Sequence, residues 1–105
     1  MHDSIEGKRD SLAAVCRQFH VRRLDVFGSA TREGAFDPAR SDVDLLVEFA
    51  PSAEPGLEVL LDLGEALQQA LGREVDLVER STIERSRNYI RRRRILEEAE
   101  PVYVA

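Results

Sequence analysis

Two acids one residue apart, at the mouth of an apolar strand, constrain this chain more than any other feature. Asp42-Val43-Asp44 leads straight into Leu45, Leu46 and Val47. Strand side chains alternate between faces, so Asp42 and Asp44 share one side and Val43 takes the other. Neighbouring carboxylates repel, and each titrates upward unless something compensates. A hard cation is the simplest compensation. Mg²⁺ binds few protein carboxylates, keeps waters, and shares its remaining positions with substrate phosphates. Upstream, Leu24 to Phe27 reads as a short strand, and Gly28-Ser29 follows at once. Glycine lets a backbone approach a ligand closely, and serine adds a hydroxyl donor. A helix starting just after would add free N–H groups for an anion. The stretch from Leu24 to Phe49 therefore reads as one unit built for metal-assisted phosphate chemistry.

The wording of that unit carries a resemblance. Gly-Ser after a first strand, then Asp-x-Asp opening a second, resembles the signature of the DNA polymerase β-type nucleotidyltransferase superfamily. FGSATREG and RSDVDLLVEF are most similar to the minimal nucleotidyltransferases, which are often encoded as antitoxins beside HEPN-domain ribonuclease toxins. The resemblance covers roughly Leu24 to Val78. Either dipeptide alone is weak; in order, between the right strands, they are specific.

Composition sets the outer bounds. The chain has 105 residues, enough for one domain spanning 1–105 with a modest core. The net charge of −5 argues against direct nucleic-acid binding, which asks for a basic face. A nucleotide substrate stays open, because metal ions supply positive charge locally. Cys16 is the only cysteine and reads as a small buried apolar residue, so neither an internal disulfide nor a cysteine metal site is expected. The polar start, MHDSIEGKRD, is unlike a signal peptide, and no apolar run has membrane-spanning length. A cytoplasmic protein with no membrane contact is the expectation.

In chain order, Met1 to His20 reads as an amphipathic helix with Ile5, Leu12, Val15, Cys16 and Phe19 on one side. Val21 to Phe27 holds the first strand. There Arg23 and Asp25 alternate with Leu24 and Val26 as in a half-buried strand. The loop from Ala30 to Ser41 carries Arg32 and Arg40, each a phosphate contact or a solvated charge. Leu45 to Phe49 is nearly continuous in apolar residues, the mark of a central strand. Leu57 to Leu71 is a helix whose leucines are expected in the core, closed by Gly72. Glu74 to Val78 is a third strand with Asp76 at its middle. Aspartate is disfavoured within strands, which sets Asp76 apart from an ordinary surface acid. Ser81 to Ala99 reads as one helical segment. Its run Arg91 to Arg94 spreads around the helix and, with the glutamates that follow, is a salt-bridged solvated surface or a contact for an acidic partner or a phosphate. Val102-Tyr103-Val104 is an edge strand or an apolar tail.

The fold class expected is α+β, a small mixed sheet of the nucleotidyltransferase palm type flanked by helices. The first two strands pair antiparallel, and the second and third pair parallel through a right-handed crossover. That topology gathers Gly28-Ser29, Asp42, Asp44 and Asp76 at one sheet edge. The resemblance then implies roles. Asp42 and Asp44 hold two Mg²⁺ ions. Asp76 is the third catalytic carboxylate, holding the ion that activates the attacking hydroxyl. Gly28, Ser29 and Arg32 contact the nucleotide. The implied reaction moves a nucleoside monophosphate, AMP from ATP, to a tyrosine of a HEPN toxin and so silences it. A chain this short leaves the acceptor to a partner, which would approach past the loop carrying Arg32, with the Arg91–Arg94 run more remote. Two alternatives stand beside this: an antitoxin acting by stoichiometric binding alone, and an enzyme modifying a small molecule.

Overall fold

A computed structural model describes residues 3–28, 43–51 and 56–105. Its elements are α1 (Asp3–Glu6), α2 (Arg9–Gln18), β1 (Val21–Phe27), β2 (Val43–Phe49), α3 (Leu57–Leu71), β3 (Val75–Glu79), α4 (Arg80–Glu84), α5 (Tyr89–Glu98) and β4 (Glu100–Val104). The strands form one sheet in the order β3-β2-β1-β4. β1 pairs antiparallel with β2 and β4, and β2 pairs parallel with β3. The mixed α+β architecture matches the sequence expectation, including the antiparallel and parallel pairings and the edge strand at the C-terminus.

The two sheet faces are covered by different helices. Leu24, Val26, Val43, Leu45 and Val47 point to one face, where they pack with Ile5, Leu12 and Cys16 of the first helices and Leu63, Leu67 and Leu71 of α3. The other face carries Phe27 and Leu46, packed with Ile83 of α4 and Ile95 of α5. Complete burial of several branched side chains of this size, at about 1.5–3 kcal/mol each, is the main term holding the sheet to its helices. Cys16 is part of that core, and burial pushes its thiol up to about 12. Its role is packing, as the sequence indicates.

Local departures from the sequence reading have local causes. The first helix is interrupted by a turn at Gly7-Lys8, and it closes on His20 in the left-handed region at φ 58°. Leu57 and Leu61 of α3 are 72% and 63% exposed, because six leucines wrap further around the helix than one sheet face can cover. Gly72, at φ 73°, ends α3 as expected. The last helical segment is two helices rather than one. Asn88 caps α5 by accepting from Arg91 N at 3.1 Å, and Ser and Asn side chains favour such ends over helix interiors. Arg92 bridges the gap, donating to Ser86 O at 3.1 Å.

Asp25 is the largest correction. The alternation of β1 places it on a solvent face, yet it is 0% exposed. α4 and α5 cover that face, and two arginines meet the carboxylate there. Arg23 Nε donates to Oδ1 at 2.8 Å and Arg80 Nη1 to Oδ2 at 3.1 Å. Arg80 opens α4 directly after β3, so this ion pair ties the start of α4 across the sheet to β1.

Candidate active site

The ladder registers build the site. Phe27 stands opposite Asp44 across the β1–β2 pair, and Asp44 stands beside Asp76 across the β2–β3 pair. Parallel neighbours in one register point to the same face, so the two carboxylates sit on adjacent strands about 4.8 Å apart along the sheet. The start of that register is fixed from both sides. Val43 N donates to Glu74 O at 3.0 Å, and Val75 N donates to Gln68 Oε1 at 3.2 Å, which anchors β3 to the end of α3. The parallel crossover thus brings together two acids that lie far apart in sequence.

Gly28 follows β1 in the left-handed region, at φ 73°. A Cβ added there would lie 2.6 Å from Asp44 Oδ2. A side chain there would force the Asp44 carboxylate to move, and an L residue resists that backbone conformation. Gly28 is therefore required twice, for its turn and for its approach to the carboxylate. The sequence places Gly28 at the same sheet end as the acids, and the structure brings it there.

A cleft of about 310 Å³ opens here. Gly28, Asp44 and Asp76 line it from the strand ends, with Phe27, Val78 and Ile95 as its apolar part. Asp44 is half-buried and Asp76 is exposed. Helix α5 supplies Arg91, Arg94 and Glu98 to the same cleft. The sequence reading holds the Arg91–Arg94 run remote from the acids, and the structure departs from it. Ile95 is the one buried residue of α5, and it seats the helix against Leu46 and Phe27. Residues 91, 94 and 98 lie three or four positions from Ile95 or next to it, on the face turned to the sheet. Arg92 and Arg93 fall elsewhere: Arg92 holds the α4 end, and Arg93 Nε pairs with Glu97 at 2.9 Å on the surface. Ile90, Ile95 and Leu96 all interrupt the charges of α5, so the sequence carries no signal for which arginines face inward.

Ser29, Arg32 and Asp42 lie outside the described residues, as do Arg40 and the rest of the loop before β2. Among the described residues, Asp44 and Asp76 are not joined by a third potential ligand into a metal-binding group. The donors present are hard carboxylate oxygens on one face beside the Gly28 turn, which is the donor chemistry Mg²⁺ takes. Zinc or copper would ask for thiolate or imidazole.

The mixed sheet presents two in-register aspartates beside a left-handed glycine at one end. Residues 9–101 match the family model described as the nucleotidyltransferase domain, and the chain belongs to that family. Among curated proteins, it is 42% identical over 66 residues to protein adenylyltransferase MntA of Thermococcus cleftensis, a match covering 63% of this chain and 63% of that one. The chain thus spans less than two thirds of that relative. A solved structure described provisionally as a minimal nucleotidyltransferase is 29% identical, covers 96% of both chains, and superposes with a TM-score of 0.68. A tri-AMPylated Shewanella oneidensis HEPN toxin in complex with its MNT antitoxin includes a chain of like fold. There the TM-score is 0.63 at 16% identity, covering 96% of this chain and 73% of that one. No helix among the described residues is long and apolar enough to cross a membrane.

Proposed function

We propose that this protein is a Mg²⁺-dependent protein adenylyltransferase that moves AMP from ATP to a tyrosine hydroxyl of a HEPN-type toxin, acting as its antitoxin. The observation that carries the reading is the in-register pair Asp44 and Asp76 beside Gly28. The activity named for the Thermococcus relative and the AMPylated toxin in the Shewanella complex supply the substrate and the acceptor.

Each residue has a task in this chemistry. Asp42, Asp44 and Asp76 are the metal-holding carboxylates. Mg²⁺, when bound, neutralises phosphate charge and lowers the pKa of the attacking hydroxyl. Gly28 and Ser29 accept the phosphate chain against the backbone, with Arg32 as a further phosphate contact. The acceptor oxygen forms a bond to the α-phosphorus, and the bond from that phosphorus to the bridging oxygen breaks. Pyrophosphate leaves with the electron pair. The hydroxyl proton passes to the carboxylate of Asp76. Positioning and charge compensation do most of the work in phosphoryl and nucleotidyl transfer, and this short chain supplies both.

Calorimetry of ATP with and without Mg²⁺ tests the reading. Binding should be strong with the ion and weak in chelator. Equal affinity in the two conditions would contradict a carboxylate-held metal at this site.

A further inference from the structure

Two arginines enter the acid-lined cleft from a helix that neither sequence motif includes. We infer that Arg91, seconded by Arg94, holds the phosphate chain of the nucleotide from the side of α5, across the cleft from Gly28, Asp44 and Asp76. The inference rests on the proposed nucleotidyltransferase reading and adds a binding element to it.

The geometry favours Arg91. Arg91 and Arg94 line the same cleft as Gly28, Asp44 and Asp76. Arg94 is engaged within its own helix, its Nε donating to Glu98 at 3.3 Å. Arg92 and Arg93 are committed elsewhere, to the α4 end and to Glu97. Arg91 is fixed by its backbone, since its N–H donates to the Asn88 cap at 3.1 Å, while its side chain is exposed at the cleft. A guanidinium there has a physical reason. The acids attract a metal, the metal attracts a polyphosphate, and the far oxygens of that polyphosphate still carry charge. Arginine meets phosphate with two parallel hydrogen bonds, which lysine cannot reproduce.

The surface alternative is that Arg91 is a solvated charge, like Arg93. It explains Arg93, whose ion pair with Glu97 points away from the sheet. It does not explain why Arg91 and Arg94, three positions apart, line the cleft that Asp44 and Asp76 also line.

The test is calorimetry of Mg²⁺–pyrophosphate, Mg²⁺–ATP and AMP on the whole protein. Wild type is compared with Arg91→Ala, Arg91→Lys and the control Arg93→Ala. Arg91→Ala should weaken pyrophosphate and ATP binding by roughly tenfold or more, the scale of a lost charged hydrogen bond. AMP binding should change much less. Arg91→Lys should recover only part of the loss, and Arg93→Ala should match wild type. Equal pyrophosphate affinity in wild type and Arg91→Ala would overturn the assignment while leaving the nucleotidyltransferase reading intact. Failure of wild type to bind Mg²⁺–ATP at all would overturn that reading, and the assignment with it.

Discussion

At the scale of single residues, Gly28 and Asp44 act as one unit. Gly28 adopts a left-handed turn, and a Cβ added there would lie 2.6 Å from Asp44 Oδ2, so a side chain at position 28 displaces the carboxylate. Gly28→Ala meets two costs, the left-handed backbone at about 1–2 kcal/mol and the displaced carboxylate at about 1–3 kcal/mol. Stability should fall by a few kcal/mol in chemical denaturation. Transfer should fall further, on the order of 100-fold, because an ångström of misplacement is felt at the reacting atoms. A Gly28→Ala variant with wild-type single-turnover rates would show that the approach to Asp44 is incidental. This pairing was legible in the sequence, since Gly28-Ser29 and Asp-x-Asp announce it. Ser29 and Asp42, also read from those motifs, fall outside the described residues.

At the scale of elements, the site depends on how α4 and α5 are held over one face. Asp25, Arg23 and Arg80 do much of that holding, through contacts of 2.8 and 3.1 Å to a carboxylate with no exposure. Asp25→Asn keeps the shape and removes the charge that both arginines face. Removing one partner of a buried pair costs about 3–5 kcal/mol, and the lower end applies because Arg23 and Arg80 retain solvent contact. A urea midpoint shift of that direction is expected, and an unchanged midpoint would mean that the pair contributes nothing. Arg80→Met should also destabilise, since Asp25 would then rely on Arg23 alone. This arrangement was hidden in the sequence. Alternation along β1 marks Asp25 as outward, and only the covering helices reverse its environment. The same limit applied to α5. Four consecutive arginines obscure the helix face, and the role of Ile95 as the seat becomes visible only when the opposite surface of Leu46 and Phe27 is known. By contrast, the pairing directions of β1, β2 and β3 followed from connection lengths and apolar runs, because those depend on local pattern and chain reach alone.

At the scale of the whole molecule, strands from distant parts of the chain bring a glycine and two aspartates to one sheet end, and a C-terminal helix closes over them. In the proposed function this end performs chemistry on a partner rather than blocking it by contact. Asp44→Asn separates the two. It is nearly isosteric, leaves the sheet register to backbone hydrogen bonds, and removes a charge from the proposed metal site. The decisive measurement is intact-mass analysis of a co-purified HEPN toxin, incubated with ATP, Mg²⁺ and either wild-type protein or Asp44→Asn, alongside the toxin's ribonuclease activity. Wild type should add AMP to the toxin and silence it. Asp44→Asn should bind the toxin equally well, add no AMP and leave the ribonuclease active. Full silencing by Asp44→Asn without any AMP adduct would contradict the account and assign the protein to stoichiometric blockade.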